Sequence, residues 1–102
     1  EIRNGCGVSN LARMYTDFLR EQGLDVLDSK NADHFNYLET QILHHRGNLK
    51  RAKELANILM IEDSKIIEDK NELLFYDLTL IIGKDYITLP SYREAVLFQT
   101  PF

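Results

Sequence analysis

Leu11, Tyr15, Phe18, Leu19 and Gln22 recur at helical spacing, behind Ser9 as an N-cap and ahead of Gly23 as a left-handed stop. This spacing predicts a first helix with one buried stripe. A second stripe, Leu49, Ala52, Leu55, Ala56 and Leu59, starts where Asn48 can cap it, and Lys50, Arg51, Lys53, Glu54 and Asn57 fill the opposite, solvated face. The strands alternate with period two. Residues 1–4 alternate polar and apolar and run into Gly5-Cys6-Gly7, a tight turn. Residues 24–27 read as a short strand and residues 29–33 as a polar loop. In residues 37–45 the alternation puts Leu38, Thr40, Ile42 and His44 toward the core, and Glu39, Gln41, Leu43 and His45 on the other side. Ile66-Ile67 is a short extension or part of a loop. Residues 75–82 are the most β-like stretch, closed by Gly83-Lys84-Asp85-Tyr86.

The order is β-α-β-β-α-β, an α+β sandwich of the split β-α-β kind. It predicts a four-stranded antiparallel sheet with both helices on one face and the other face open. Residues 1–86 make this domain. Residues 87–102 form a C-terminal extension carrying Pro90, a capping box in Ser91 and Glu94, and apolar Ala95, Val96, Leu97 and Phe98. Helix or strand stays open there, but so apolar a segment is expected to pack on the domain or on a partner.

A chain of 102 residues suits one core and one domain. Twelve Lys and Arg against sixteen Asp and Glu give a net charge of −4, well mixed along the chain, so phosphate backbones are poor partners and nucleic acid is not expected. No apolar stretch approaches the ~20 residues that span a bilayer. The chain opens on Glu1 rather than Met, which points to an excised fragment, with any membrane anchor upstream of it.

Several short motifs occur in order across residues 2–86. Asn4-Gly5 with Gly7-Val8, then Leu11-Ala12, open the series, and Gly23 with Val26 and Asn31-Ala32 follow. Thr40 and Ile42, Gly47-Asn48, and Ala52 with Leu55-Ala56 come next, and the run from Asp77 to Ile82 with Gly83, Asp85 and Tyr86 closes it. Together they resemble the LytR_C domain, the C-terminal domain of the LytR/CpsA/Psr cell-envelope proteins, with its opening "NGxGV" turn and closing "DVTVVLGxDY" run. His44 stands where that family commonly has Tyr, and Arg46 near a frequent Pro. The resemblance implies an extracytoplasmic, membrane-tethered bacterial envelope protein in which this domain assists cell-wall glycopolymer assembly. It carries no established catalytic residues, and the family's phosphotransferase activity belongs to a different domain.

Candidate chemistry is sparse. Gly5 and Gly7 precede a helix, but a nucleotide fingerprint needs a third glycine and an acidic residue about 20 positions on, so a tight turn is the simpler reading. His34, His44 and His45 are expected to bind no metal, because adjacent strand residues point to opposite faces. His44 is expected at the core edge with a hydrogen bond, and His45 on the surface. Cys6, the only cysteine, is expected to be a small semi-buried turn residue, since no third group orients a Cys-His pair.

No catalytic residue, metal or cofactor is therefore expected. The bare sheet face carries the functional expectation, with Arg3, Glu39, Gln41, Leu43, His45, Thr79 and Ile81 as its binding residues. RNA modules need aromatics on the central strands of such a face, and this one has none. The expected role is a non-catalytic accessory module that binds cell-wall glycan or glycopolymer. The alternative is a protein-interaction or oligomerisation module that positions a membrane-bound assembly enzyme. The competing expectation is that the face is covered by the C-terminal segment or by a second copy of the chain in a homo-oligomer.

Overall fold

The structure, a computed structural model, describes residues 1–99. Among them the elements run β1 (Ile2–Asn4), α1 (Leu11–Glu21), β2 (Ser29–Asn31), β3 (Gln41–His44), α2 (Leu49–Leu59), β4 (Ile66–Glu68), β5 (Leu78–Ile82) and α3 (Pro90–Gln99). Single 3-10 turns lie at Asp63–Lys65 and Tyr86–Thr88.

The five strands form one mixed sheet in the order β2-β1-β5-β3-β4. β1 is parallel to both β2 and β5, β3 is parallel to β4, and only β3 with β5 is antiparallel. Parallel neighbours need a crossover, which α1 and α2 provide. The molecule is thus two β-α-β units, β1-α1-β2 and β3-α2-β4, with β5 inserted between them. This corrects the expected four-stranded antiparallel sheet with two helices.

The differences have physical causes. β2 lies at Ser29–Asn31 rather than at 24–27, and all three of its residues are exposed. It is a strand because its backbone pairs with β1, a tertiary effect that no side-chain pattern announces. Residues 24–27 stay irregular, and Val26 is buried from that coil. Ile66 and Ile67 belong to β4, paired to Ile42 and Leu43. β3 begins at Gln41, so Leu38, expected in the core, is 71% exposed.

Ile2, Leu80 and Ile42 stand side by side in register and share one core with the apolar stripes of α1 and α2, so both helices cover that face. β5 is central and buried along nearly its whole length, as a strand covered on both sides should be. α2 is capped as expected, the Asn48 side chain accepting from the Arg51 amide at 3.2 Å. Leu49, expected in its buried stripe, faces solvent. α1 is capped at Asn10 in a left-handed conformation with no side-chain bond, not by Ser9. Its stop is as expected: Gly23 sits at φ 90°, and the Leu24 amide returns to the Leu19 carbonyl.

α3 packs along α1. Leu89, Ser91 and Ala95 are buried, and the Ser91 hydroxyl lies 3.1 Å from that of Tyr15. α1 therefore buries seven residues, Met14 and Thr16 among them, because it is covered by the sheet and by a third helix. Val96 and Leu97 are exposed, while the Phe98 side chain and residues 100–102 lie outside the described residues.

Candidate functional site: the sheet face opposite the helices

Register places Arg3, Gln41, Leu43, Thr79 and Ile81 together on the face away from α1 and α2, with Arg3 and Gln41 each opposite Ile81, and Leu43 opposite Thr79. His45 continues this side, and Glu39 precedes the strand as an exposed partner of Lys65. The face is not bare, however. Thr79, Ile81 and His45 are buried, which corrects their expected exposure.

Two loops cover them. The segment before β3 is tied down by the Tyr37 amide to the Gly5 carbonyl (3.1 Å) and by the Lys84 amide to the Tyr37 carbonyl (2.8 Å). A Cβ on Gly5 would meet both Ile81 Cγ2 and Tyr37 Cδ2 at 2.8 Å, so glycine is what lets the Tyr37 ring close over Ile81. At the other end the loop before β5 sets the Tyr76 ring edge-on against His45, with centroids 5.8 Å apart. Tyr76 and Tyr37 both lie within electrostatic reach of the Arg3 guanidinium. What remains partly open between the two loops is a strip of half-buried Arg3, Gln41 and Leu43, the trough of this face, flanked by half-buried Tyr37 and Tyr76. Tyr76 also lines the cavity on the helix side.

Its charges are fixed. Burial opposes ionisation of Arg3, but its hydrogen bond to Glu1 and the nearby Tyr76 phenol outweigh it and raise the guanidinium above its ordinary range. Burial likewise pushes the Glu1 carboxyl up, yet Arg3 and Lys30 together hold it below its ordinary value. Asp33 accepts from the Tyr37 hydroxyl at 2.6 Å, which lowers the carboxyl and raises the phenol. The His34 ring stacks on Tyr37 at 4.3 Å. Both tyrosines came from stretches read as strand, where alternation said nothing of loops folding back over the face.

Beneath the trough, Thr79, His45 and Asp69 form an aligned array. His45 Nε2 is 2.6 Å from Thr79 Oγ1, and Nδ1 is 2.8 Å from the Asp69 carbonyl oxygen and 3.3 Å from its carboxylate. A carbonyl only accepts, so the partners assign the proton to Nδ1, leaving Nε2 to accept from Thr79. Thr79 is 0% exposed, though, so its hydroxyl meets no solvent. The array ties the loop around Asp69 to the sheet. His44 Nδ1, expected to find a partner, is buried without one.

The remaining motif residues build turns. Asn4 Oδ1 accepts from the amides of Cys6 and Gly7, and its Nδ2 donates to the Val8 carbonyl at 2.6 Å. Thr40 donates through its amide (2.9 Å) and hydroxyl (2.7 Å) to one oxygen of Asp85 and accepts from the Gly83 amide. A Cβ on Gly83 would lie 2.5 Å from the Glu39 carbonyl carbon. The opening and closing motifs thus lock the two ends of the trough-forming segments, and the chain matches the family described as LytR cell envelope-related transcriptional attenuator over residues 1–86. The chain belongs to the LytR_C family. It is thereby a cell-envelope-related module. No curated protein and no solved structure matches it.

Other candidate sites in this LytR_C domain do not converge. Among the described residues no three His, Cys, Asp or Glu gather as metal ligands. Cys6 is half-buried with its thiol 3.5 Å from Asn4 Oδ1, and His34 sits on the exposed loop. A cavity of about 110 Å³ on the helix side is lined mainly by apolar residues such as Leu19, Val26, Leu55 and Leu80, with Asp25 and Arg51 at its sides. No helix is long and apolar enough to cross a membrane among the described residues.

Proposed function

We propose that this LytR_C domain is a non-catalytic module that binds cell-wall glycan or glycopolymer in the trough between Tyr37 and Tyr76. The observation that carries the reading is the pairing of two fixed aromatic rings with Arg3 and Gln41 on one shallow surface. A sugar presents apolar C–H faces and a ring of hydroxyls, and such a surface answers both. Nucleic acid fits less well: the chain is acidic, and the tyrosines flank the face rather than stand on its strands. An extracytoplasmic position behind an upstream anchor belongs to this reading.

The test is retention of the domain on isolated cell-wall material and on membrane extracts, comparing wild type with an Arg3→Gln, Gln41→Ala double variant. Retention on the wall material is expected to fall about tenfold, as for loss of a central contact. Equal retention of both forms on it would overturn the reading. Loss of a membrane-protein partner instead would favour a module that positions an envelope assembly enzyme.

A further inference from the structure

The loop between β4 and β5 carries the two most exposed large apolar side chains of the described residues, Leu73 at 94% and Phe75 at 85%. The loop is held from inside. The Asn71 amide donates to the His45 carbonyl (2.9 Å), the Leu73 amide to Asn71 Oδ1 (3.2 Å), and Arg46 to the Leu74 carbonyl (2.7 Å). A backbone fixed so that apolar side chains project into water is the signature of a contact surface.

Charge identifies what it meets. Residues 68–77 contain four acids and one lysine. Asp69 is engaged by His45 and Asp77 by Arg46, which leaves Glu68 and Glu72 as a rim with no ion pair among the described residues. Arg46 and Lys70 share their recess, so the four acids outweigh two cations and the rim stays acidic. The outer face of α2 carries the opposite pattern. Exposed Leu49 lies in a shallow depression with Lys50 and Lys53, and neither lysine has an ion pair, whereas Arg51 is taken by Glu54. The two surfaces are neighbours, since Asp77 contacts the Asn48 cap of α2 at 3.4 Å.

We propose that this loop and the outer face of α2 form a two-fold interface between two copies of the chain, each loop seating Leu73 and Phe75 against Leu49 of the other copy. Because both halves of the contact lie side by side on one chain, a two-fold axis between them satisfies both at once. The acidic rim meets the lysines across the axis. The same rim repels an anionic bilayer, the other apolar surface such a loop could enter. This inference does not rest on the glycan reading, which uses Arg3, Gln41, Tyr37 and Tyr76. Because Phe75 stands edge-on to Tyr76 with centroids 5.9 Å apart, the two are told apart by the charge-reversed forms, which keep both rings.

The test is sedimentation equilibrium on four forms of the domain, with circular dichroism to verify folding. Wild type is expected to dimerise, and Leu73→Ser, Phe75→Ser to be monomeric. A loop-reversed form (Glu68→Lys, Glu72→Lys) and a helix-reversed form (Lys50→Glu, Lys53→Glu) should each dimerise at least about tenfold more weakly, because like charges then face each other. Mixed together, they should form a heterodimer near wild-type strength, since every loop then meets a helix of opposite charge. A wild type that stays monomeric at all concentrations, or a mixture no tighter than its parts, overturns the proposal. So does a monomer that binds phosphatidylcholine or phosphatidylglycerol vesicles through Phe75. The charge-reversed forms should keep wild-type glycan retention, so failure of one reading is read separately from failure of the other.

Discussion

Tyr15 is the residue on which the helical layers meet. It has no exposed surface, and its hydroxyl is satisfied by Ser91 of α3. Burial is the larger influence on the phenol and pushes its pKa up to about 12, with the Ser91 hydrogen bond pulling the other way. The proton is thus bound more tightly in the folded chain than in the unfolded one, whose phenol titrates near 10. The stabilisation is complete below pH 10 and is lost as pH rises from 10 to 12, amounting to roughly 2–3 kcal/mol. Urea titrations across that range should show this loss. Tyr15→Phe should flatten it, at a cost of about 1–2 kcal/mol near neutrality for the orphaned Ser91. A variant whose alkaline slope matches wild type would show that other groups drive it.

At the scale of elements, legibility in the sequence followed periodicity. α1, α2 and β5 carry clean apolar patterns and lie where those patterns put them, within a residue or two at most ends. β2 has no apolar residue, and a strand formed only by pairing leaves no trace in alternation. The trough was half legible. Arg3, Gln41 and Leu43 follow from period two, but Tyr37 reaches the face through loop hydrogen bonds to Gly5 and Lys84, and Tyr76 through a loop that sets its ring against His45. α3 was ambiguous because its buried residues are small, Ser91 and Ala95, while larger Leu97 points outward. The α2 stripe supports a plain prediction. Leu55 is buried in the core cluster under the sheet, so Leu55→Ala should cost about 2–4 kcal/mol in a denaturant titration. A change under about 0.5 kcal/mol would mean that α2 is not anchored as described.

For the whole molecule, the family match ends at residue 86 but the core does not. Leu89 and Ala95 are part of the same buried cluster as Ile2, Leu80 and Leu55, and Tyr92 stands edge-on to Tyr86 with centroids 5.2 Å apart. Removing residues 87–102 would expose those contacts, uncover the outer side of α1 and leave the Tyr15 hydroxyl without Ser91. Burial of Leu89 and Ala95 is worth about 2–3 kcal/mol and the lost hydrogen bond about 1–3 kcal/mol. The sum is roughly 3–6 kcal/mol, against a typical total stability of about 5–15 kcal/mol. A chain ending at Tyr86 should therefore unfold at much lower urea than the full chain and should bind a hydrophobic dye in the absence of denaturant. The full chain should unfold in one transition, with helical and aromatic signals coincident, because α3 shares its core with the sheet. Truncation that leaves the urea midpoint and slope unchanged would show that α3 rests on a domain complete without it. Two transitions in the full chain would show that α3 unfolds on its own.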